Sequence, residues 1–154
     1  MDTRAPTGTT NTYFLEEASL LLDPAAPIDD LGIDPESVDH VAVTHAHHDH
    51  LAGLPAVMEA TNATLWAKHG RENEMVEATG CYPEKTFRDG DTIGGDGAVR
   101  VLETPGHAPD HVTFRIDSSA IVGDLAMADS SVVVAAPEGD MRAYLTSLRR
   151  LLTR

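Results

Sequence analysis

The chain has 154 residues, 42% of them hydrophobic, enough for a buried core and in the range of one globular domain over residues 1–154. Twenty-five acidic against 11 basic residues give a formal charge of -14, and Lys68 and Lys85 are the two lysines. Such a field repels polyanions at low salt, so a small-molecule substrate is favoured over nucleic acid, and the balance reads as a salt-adapted, halophilic-like acidic surface. No apolar run approaches the ~20 residues of a membrane span, and MDTRAPTGTTNTYF lacks the basic-then-apolar order of a signal peptide, so a cytoplasmic setting is expected. Cys81, the single cysteine, closes no intrachain disulfide and forms no cysteine-based zinc site.

Thr12 to Glu16 and Ser19 to Leu22 read as a β-hairpin that ends at Asp23-Pro24. The stretch LDPAAPIDDLGIDPES reads as a loop, and His40 to Thr44 as the next strand. Leu54 to Ala60 is expected to be helical, Thr64 to Lys68 extended, and Arg71 to Ala78 a helix ended by Gly80. Further strands are expected at Arg100 to Glu103, Val112 to Ile116 and Ala120 to Val122. In GDMRAYLTSLRRLLTR the residues Met141, Tyr144, Leu145, Leu148, Leu151 and Leu152 fall at helical spacing, with Asp140 suited to the N-cap and arginines toward the end. The class is α/β or α+β with a strand-rich core.

The stretch THAHHDHLAG, Thr44 to Gly53, places four of the eight histidines in six positions around an aspartate. It follows the extended run HVAVT, so His45 and His47, two apart, project to one side if strand geometry persists. Asp49 and His50 come next, where the chain should curl toward the Leu54 helix and offer an adjacent carboxylate-plus-imidazole pair. Nitrogen and oxygen donors without thiolate suit zinc, with iron and manganese as alternatives. Two further β-runs end in such donors: VRVLETPGH delivers His107, and SSAIVGD delivers Asp124. Asp124 at the end of a buried strand would be costly to desolvate without a cation beside it.

At Thr44-His45-Ala46-His47-His48-Asp49-His50, Thr104-Pro105-Gly106-His107 and Gly123-Asp124 the chain resembles the metallo-β-lactamase superfamily of hydrolases. TPGHAPDHVTF and VVAAPEGDMRAYLTSLRRLL are similar to its β-lactamase-like protein 2 and glyoxalase II-like branches. The resemblance implies an αββα sandwich with a binuclear site at the edge of its two sheets. It assigns His45, His47 and His107 to a first metal, Asp49 and His50 to a second, and Asp124 as the bridge. The cofactor is then two Zn2+, with Asp49 and Asp124 carrying catalytic roles in hydrolysis of an ester, thioester, lactone or phosphodiester. Asp129 should be dispensable. The resemblance also admits a mononuclear iron persulfide dioxygenase and an endoribonuclease acting on single-stranded RNA, although no basic patch with interleaved aromatics favours RNA. A metal-binding fold without turnover is a third reading.

Family members carry a further Pro-Gly-His histidine after a helix such as Asp140 to Leu152, whereas His111 is the last histidine here. The expectation is therefore a C-terminally truncated form whose second metal is short of one ligand, with a mononuclear site as the alternative, and whose uncovered apolar edge a homodimer partner could cover. His40 and His69 read as ordinary strand or loop residues, and His48 as solvent-facing or as a support to a ligand rather than a ligand itself. His111 is left open between a supporting and a substrate-facing role, and Asp110 is placed to orient a ligand imidazole.

Overall fold

A computed structural model describes residues 10–128 and 130–153, so the reading of the first nine residues and that of Asp129 lie outside the described residues. β1 (Tyr13–Leu15) and β2 (Leu20–Leu22) form the expected hairpin, with Tyr13 opposite Leu22. Glu16 leaves the strand for a 3-10 turn over Glu16–Ala18, closed by Ser19 in the left-handed region. β3 (His40–Ala42), β4 (Thr64–Lys68) and β5 (Lys85–Phe87) extend this sheet in parallel, giving the order β1-β2-β3-β4-β5. β6 (Thr92–Ile93), β7 (Val99–Glu103), β8 (Val112–Ile116) and β9 (Ser119–Ile121) make a second, antiparallel sheet in chain order.

The helices are α1 (Ile28–Leu31), α2 (His48–Leu51), α3 (Leu54–Ala60), α4 (Glu72–Thr79) and α5 (Met141–Leu152). The supposed loop LDPAAPIDDLGIDPES thus holds α1 and a 3-10 turn at Pro35–Ser37, a correction with a local cause. Gly32 ends the first in the left-handed region, and the Asp34 side chain caps the second by accepting from the Glu36 N–H.

Strand alternation explains why Leu20, Leu21 and Leu22 are all fully buried. Leu20, Leu22 and Ala42 pack between the sheets against Phe87, Val101 and Phe114. Leu21, Val41, Val43 and Leu65 pack on the other face, beneath Ile28, Leu54, Val57 and Met75 of the helices. The result is the expected layered sandwich of two sheets with outer helices.

α5 starts at the expected cap, Asp140 accepting from the N–H groups of Arg142 and Ala143. It docks through polar contacts: Ser147 Oγ donates to the Pro105 carbonyl at 2.7 Å, the Tyr144 hydroxyl to the Leu125 carbonyl at 2.9 Å, and Arg150 to the Glu103 carbonyl at 2.9 Å. Of its six apolar residues, Met141, Leu145 and Leu152 remain exposed. The turn before His107 is pressed so closely beneath α5 that a Cβ on Gly106 would overlap the Tyr144 backbone, and its φ of 142° also demands glycine.

Candidate metal centre

Three strands end on one edge of the sandwich, and each hands the chain to a turn that carries a donor. His45 and His47 follow β3, His107 follows β7, and Asp124 follows β9. The structure brings together one donor atom from each of these four residues, all within 4.8 Å of one another. His45 Nε2 lies 3.0 Å from His47 Nδ1, which lies 2.9 Å from His107 Nε2, and His107 Nε2 lies 3.3 Å from Asp124 Oδ2.

The remote nitrogens decide what these facing atoms are. His107 Nδ1 is 2.7 Å from the Val133 carbonyl, an acceptor only, so it is the protonated nitrogen. His47 Nε2 is 2.8 Å from the Glu138 carboxylate and donates to it. Thr44 gives its hydroxyl proton to Asp23 at 2.9 Å, which leaves its oxygen to accept from His45 Nδ1 at 3.1 Å. Each second nitrogen therefore fixes its tautomer, and three bare imidazole lone pairs face one point. Lone pairs 3 Å apart repel unless a cation lies between them. The spacings approach the edge of a tetrahedron with 2.0–2.1 Å Zn–N bonds, about 3.3 Å. The donor set fits a metal ion, and the orienting partners are those that metal-bound histidines require.

Electrostatics point the same way. Burial, reinforced by the neighbouring histidines, holds His45 well below the usual imidazole range, which keeps it in the neutral form that ligates. For Asp124, burial acts to raise the carboxyl, but His50 and His107 outweigh it and hold it below its usual range.

Asp124 turns its other oxygen, Oδ1, toward His50 Nε2 at 3.4 Å, while Asp49 Oδ2 is 3.9 Å from the same nitrogen. Asp49 and Asp124 thus flank His50 Nε2, but among the described residues the donors that lie within 4.8 Å of one another are His45, His47, His107 and Asp124. Burial opposes charge on His50, yet Asp124 and Asp23 raise the imidazole to about 10. Asp49 Oδ2 also accepts from the Thr10 hydroxyl at 3.0 Å.

Asp23 is the residue the sequence reading passed over, as the end of a hairpin. Its buried carboxylate accepts from the Thr44 N–H at 2.6 Å, from the Thr44 hydroxyl, and from His50 Nδ1 at 2.9 Å. It therefore orients His50 directly and His45 through Thr44. An Asp-Pro after an apolar strand is an ordinary break, and no local pattern marks this role; nor does any mark Glu138, which is 91 residues from its partner His47.

Asp110 requires a correction. It orients no imidazole: its Oδ2 accepts from the Ala46 N–H at 2.6 Å and so pins the backbone between His45 and His47. His111 is fully buried under the site, its Nδ1 2.9 Å from Thr104 Oγ1 and its Nε2 without a hydrogen-bond partner. Its pKa falls to about 3, chiefly through burial. Gly123 sits above it at φ 46°, and a Cβ there would lie 2.6 Å from Thr44 Oγ1 and 3.0 Å from His111 Nε2. His48 is exposed, His69 lies beside Glu72, and His40 stacks edge-on against Trp66, all three apart from the cluster.

The chain spans about a third to a half of the length of the curated relatives it matches. It is 40% identical over 93 residues to a hydroxyacylglutathione hydrolase of Methylobacterium sp. (strain 4-46), an alignment that covers 57% of this chain and 34% of that one. It is 28% identical over 164 residues to the beta-lactamase-like protein 2 homolog of Drosophila melanogaster, covering 93% and 54%. Among solved structures, TTHA1623 in a di-iron-bound form superposes with a TM-score of 0.72 at 26% identity, covering 93% of this chain and 81% of that one. The sequence profile described as the metallo-beta-lactamase superfamily matches residues 7–154, and with donors of the expected kinds at the same strand ends, the chain belongs to that superfamily.

Proposed function

We propose that His45, His47, His107 and Asp124 hold a divalent cation, that Asp49 and His50 share Asp124 with a second, and that the chain is a metal-dependent hydrolase of acyl thioesters or related esters. The observation that carries this reading is the convergence of three imidazole lone pairs, each fixed by a partner on its other nitrogen, on one carboxylate. A cation bound there acidifies water toward a pKa of ~7 and polarises a scissile carbonyl. Asp124, with one oxygen toward each donor group, fixes their separation. Asp49, held by Thr10, takes a proton from the attacking water on Oδ2 and delivers it to the leaving group. His47 is kept in its ligating tautomer by Glu138. Acyl transfer to water is favoured over phosphodiester or RNA cleavage because the chain is strongly acidic. A cytoplasmic setting belongs to the same proposal; among the described residues no helix is long and apolar enough to cross a membrane.

The test is a panel of thioester, lactone, phosphodiester and single-stranded RNA substrates on zinc-loaded protein, with His107→Ala as control. Thioester turnover lost in the variant supports the reading; turnover unchanged by His107→Ala refutes it. Iron is a second reading for the metal, favoured by the same nitrogen and oxygen donors and by the di-iron form of TTHA1623. Metal analysis separates them: two equivalents of zinc favour the hydrolase, one of iron an oxidoreductase.

A further inference from the structure

The turns that carry His107 and Asp124 leave β7 and β9, which β8 separates in the sheet. The two strand ends therefore start two strand spacings apart, about 10 Å, although His107 Nε2 and Asp124 Oδ2 stand at 3.3 Å. α5 contributes no donor to the cluster, yet one face of it grips both turns. Asp140, Tyr144 and Ser147 fall at i, i+4 and i+7. The Asp140 N–H donates to the Gly106 carbonyl at 2.8 Å and Ser147 Oγ to the Pro105 carbonyl at 2.7 Å, on the two residues just before His107. The Tyr144 hydroxyl donates at 2.9 Å to the carbonyl of Leu125, the residue just after Asp124. Gly106 packs so closely against Tyr144 N and Cα that no Cβ fits between them, so Tyr144 alone meets both turns.

We infer that α5 is the splint that sets the spacing of His107 and Asp124, and that Tyr144 is a positioning residue for the metal centre although it supplies no donor. The inference rests on the metal-centre reading above and goes beyond it, because it assigns to one helix the relative placement of donors on two turns. Gly106 and Leu125 are buried, so their carbonyls have no water to take the place of α5. A brace held at two ends has a property that two independent contacts lack. Once one end is released the span is no longer enforced, and releasing the other end costs metal affinity little more. Two merely stabilising contacts would instead add. Tyr144→Phe frees the Asp124 turn while keeping the ring and the backbone packing on Gly106, and Ser147→Ala loosens the His107 turn. Arg150 is the control: it donates to the Glu103 carbonyl at 2.9 Å and pairs with Asp89 at 2.6 Å, tying the last turn of α5 to residues that precede both turns.

The experiment combines zinc calorimetry on the whole chain with visible spectra of the cobalt(II)-loaded protein, whose d–d bands report coordination geometry. Tyr144→Phe should weaken the tighter zinc step by about tenfold and shift the cobalt bands. Ser147→Ala should weaken that step by about threefold in the parent, but by less than about 1.5-fold when added to Tyr144→Phe. Arg150→Met, which also loosens α5, should lower the melting temperature yet leave the zinc step within about twofold and the bands in place. Losses that multiply in the double variant, unshifted bands in Tyr144→Phe, or Arg150→Met acting as strongly as Tyr144→Phe overturn the inference. Amide exchange of the metal-free proteins tests the splint without a metal. The Leu125 N–H donates to the Val122 carbonyl within the Asp124 turn, and Tyr144→Phe should speed its exchange by about fivefold. An unchanged rate there refutes the splint. If the parent shows no cobalt bands but Leu125 exchanges faster in Tyr144→Phe, the splint stands and the metal-centre reading falls.

Discussion

Replacing Asp23 by alanine removes the acceptor for three donors at once: the Thr44 N–H, the Thr44 hydroxyl and His50 Nδ1. Thr44 is fully buried and His50 nearly so, so neither recovers water as a partner. Hydrogen bonds to a charged acceptor contribute about 1.5–3 kcal/mol each, and those sharing one acceptor are not additive. Asp23 also sits at φ 51°, a conformation alanine tolerates less well than aspartate. Together these place the cost of Asp23→Ala at about 3–5 kcal/mol, a large part of the ~5–15 kcal/mol that holds a domain folded. At about 2–4 °C per kcal/mol for a chain of this size, the melting temperature should fall by roughly 10–15 °C. Asp23→Asn keeps one acceptor and the left-handed backbone, so it should cost about half as much. Because Asp23 holds His50 directly and His45 only through Thr44, the weaker of two zinc-binding steps should lose about 10–100-fold in affinity and the tighter step less. Thermal melts of the metal-free proteins and zinc calorimetry of Asp23→Asn measure both effects. A loss under 1 kcal/mol in Asp23→Ala, or an unchanged weaker zinc step, would refute the assignment.

Gly123→Ala should destabilise the chain by about 2–4 kcal/mol, because its Cβ meets Thr44 and His111 at 2.6–3.0 Å and φ is 46°; a melting temperature within 2 °C of the parent would contradict this. The metal-free protein should be most stable near pH 6.5. Below that value the unfolded chain protonates His111, whose folded pKa is about 3, and His45, which burial also holds well below the usual imidazole range, and stability falls by about 1.4 kcal/mol per pH unit for each; above it the unfolded chain releases the proton that His50 keeps to about 10, and stability falls again. Melting curves from pH 4.5 to 9 check this, and a monotonic rise across the range would count against it. Zinc calorimetry on the 154-residue chain should show two unequal steps, since the first group offers four donors and the second three, one shared; Asp124→Ala should weaken both, and two equally tight sites would overturn the bridge.

The strand ends bearing donors were readable because each apolar run is long enough to show its period and is followed closely by a donor: His45 after HVAVT, His107 after Pro-Gly, Asp124 after Gly. β5 and β6 were not. Lys85 and Thr86 are exposed, and Thr92–Ile93 is only two residues long, so these strands exist through backbone pairing with β4 and β7 rather than through any pattern of their own. The groups that set the tautomers were hidden for a related reason. Asp23 reaches Thr44 across 21 residues, Val133 reaches His107 across 26, and Glu138 reaches His47 across 91. Partners of this kind depend on the fold, not on spacing. Asp110 was assigned to an imidazole from its position beside His111; the nearer donor is a backbone N–H, which only the packing of the two turns reveals.

The central claim, that His45, His47, His107 and Asp124 hold a metal ion, is tested most directly by X-ray absorption at the zinc edge on protein loaded with one equivalent. The account predicts a shell of about four nitrogen or oxygen atoms near 2.0–2.1 Å, with the outer-shell pattern of three imidazoles. Scattering from sulfur, or from a shell of oxygen alone without imidazole, would contradict it.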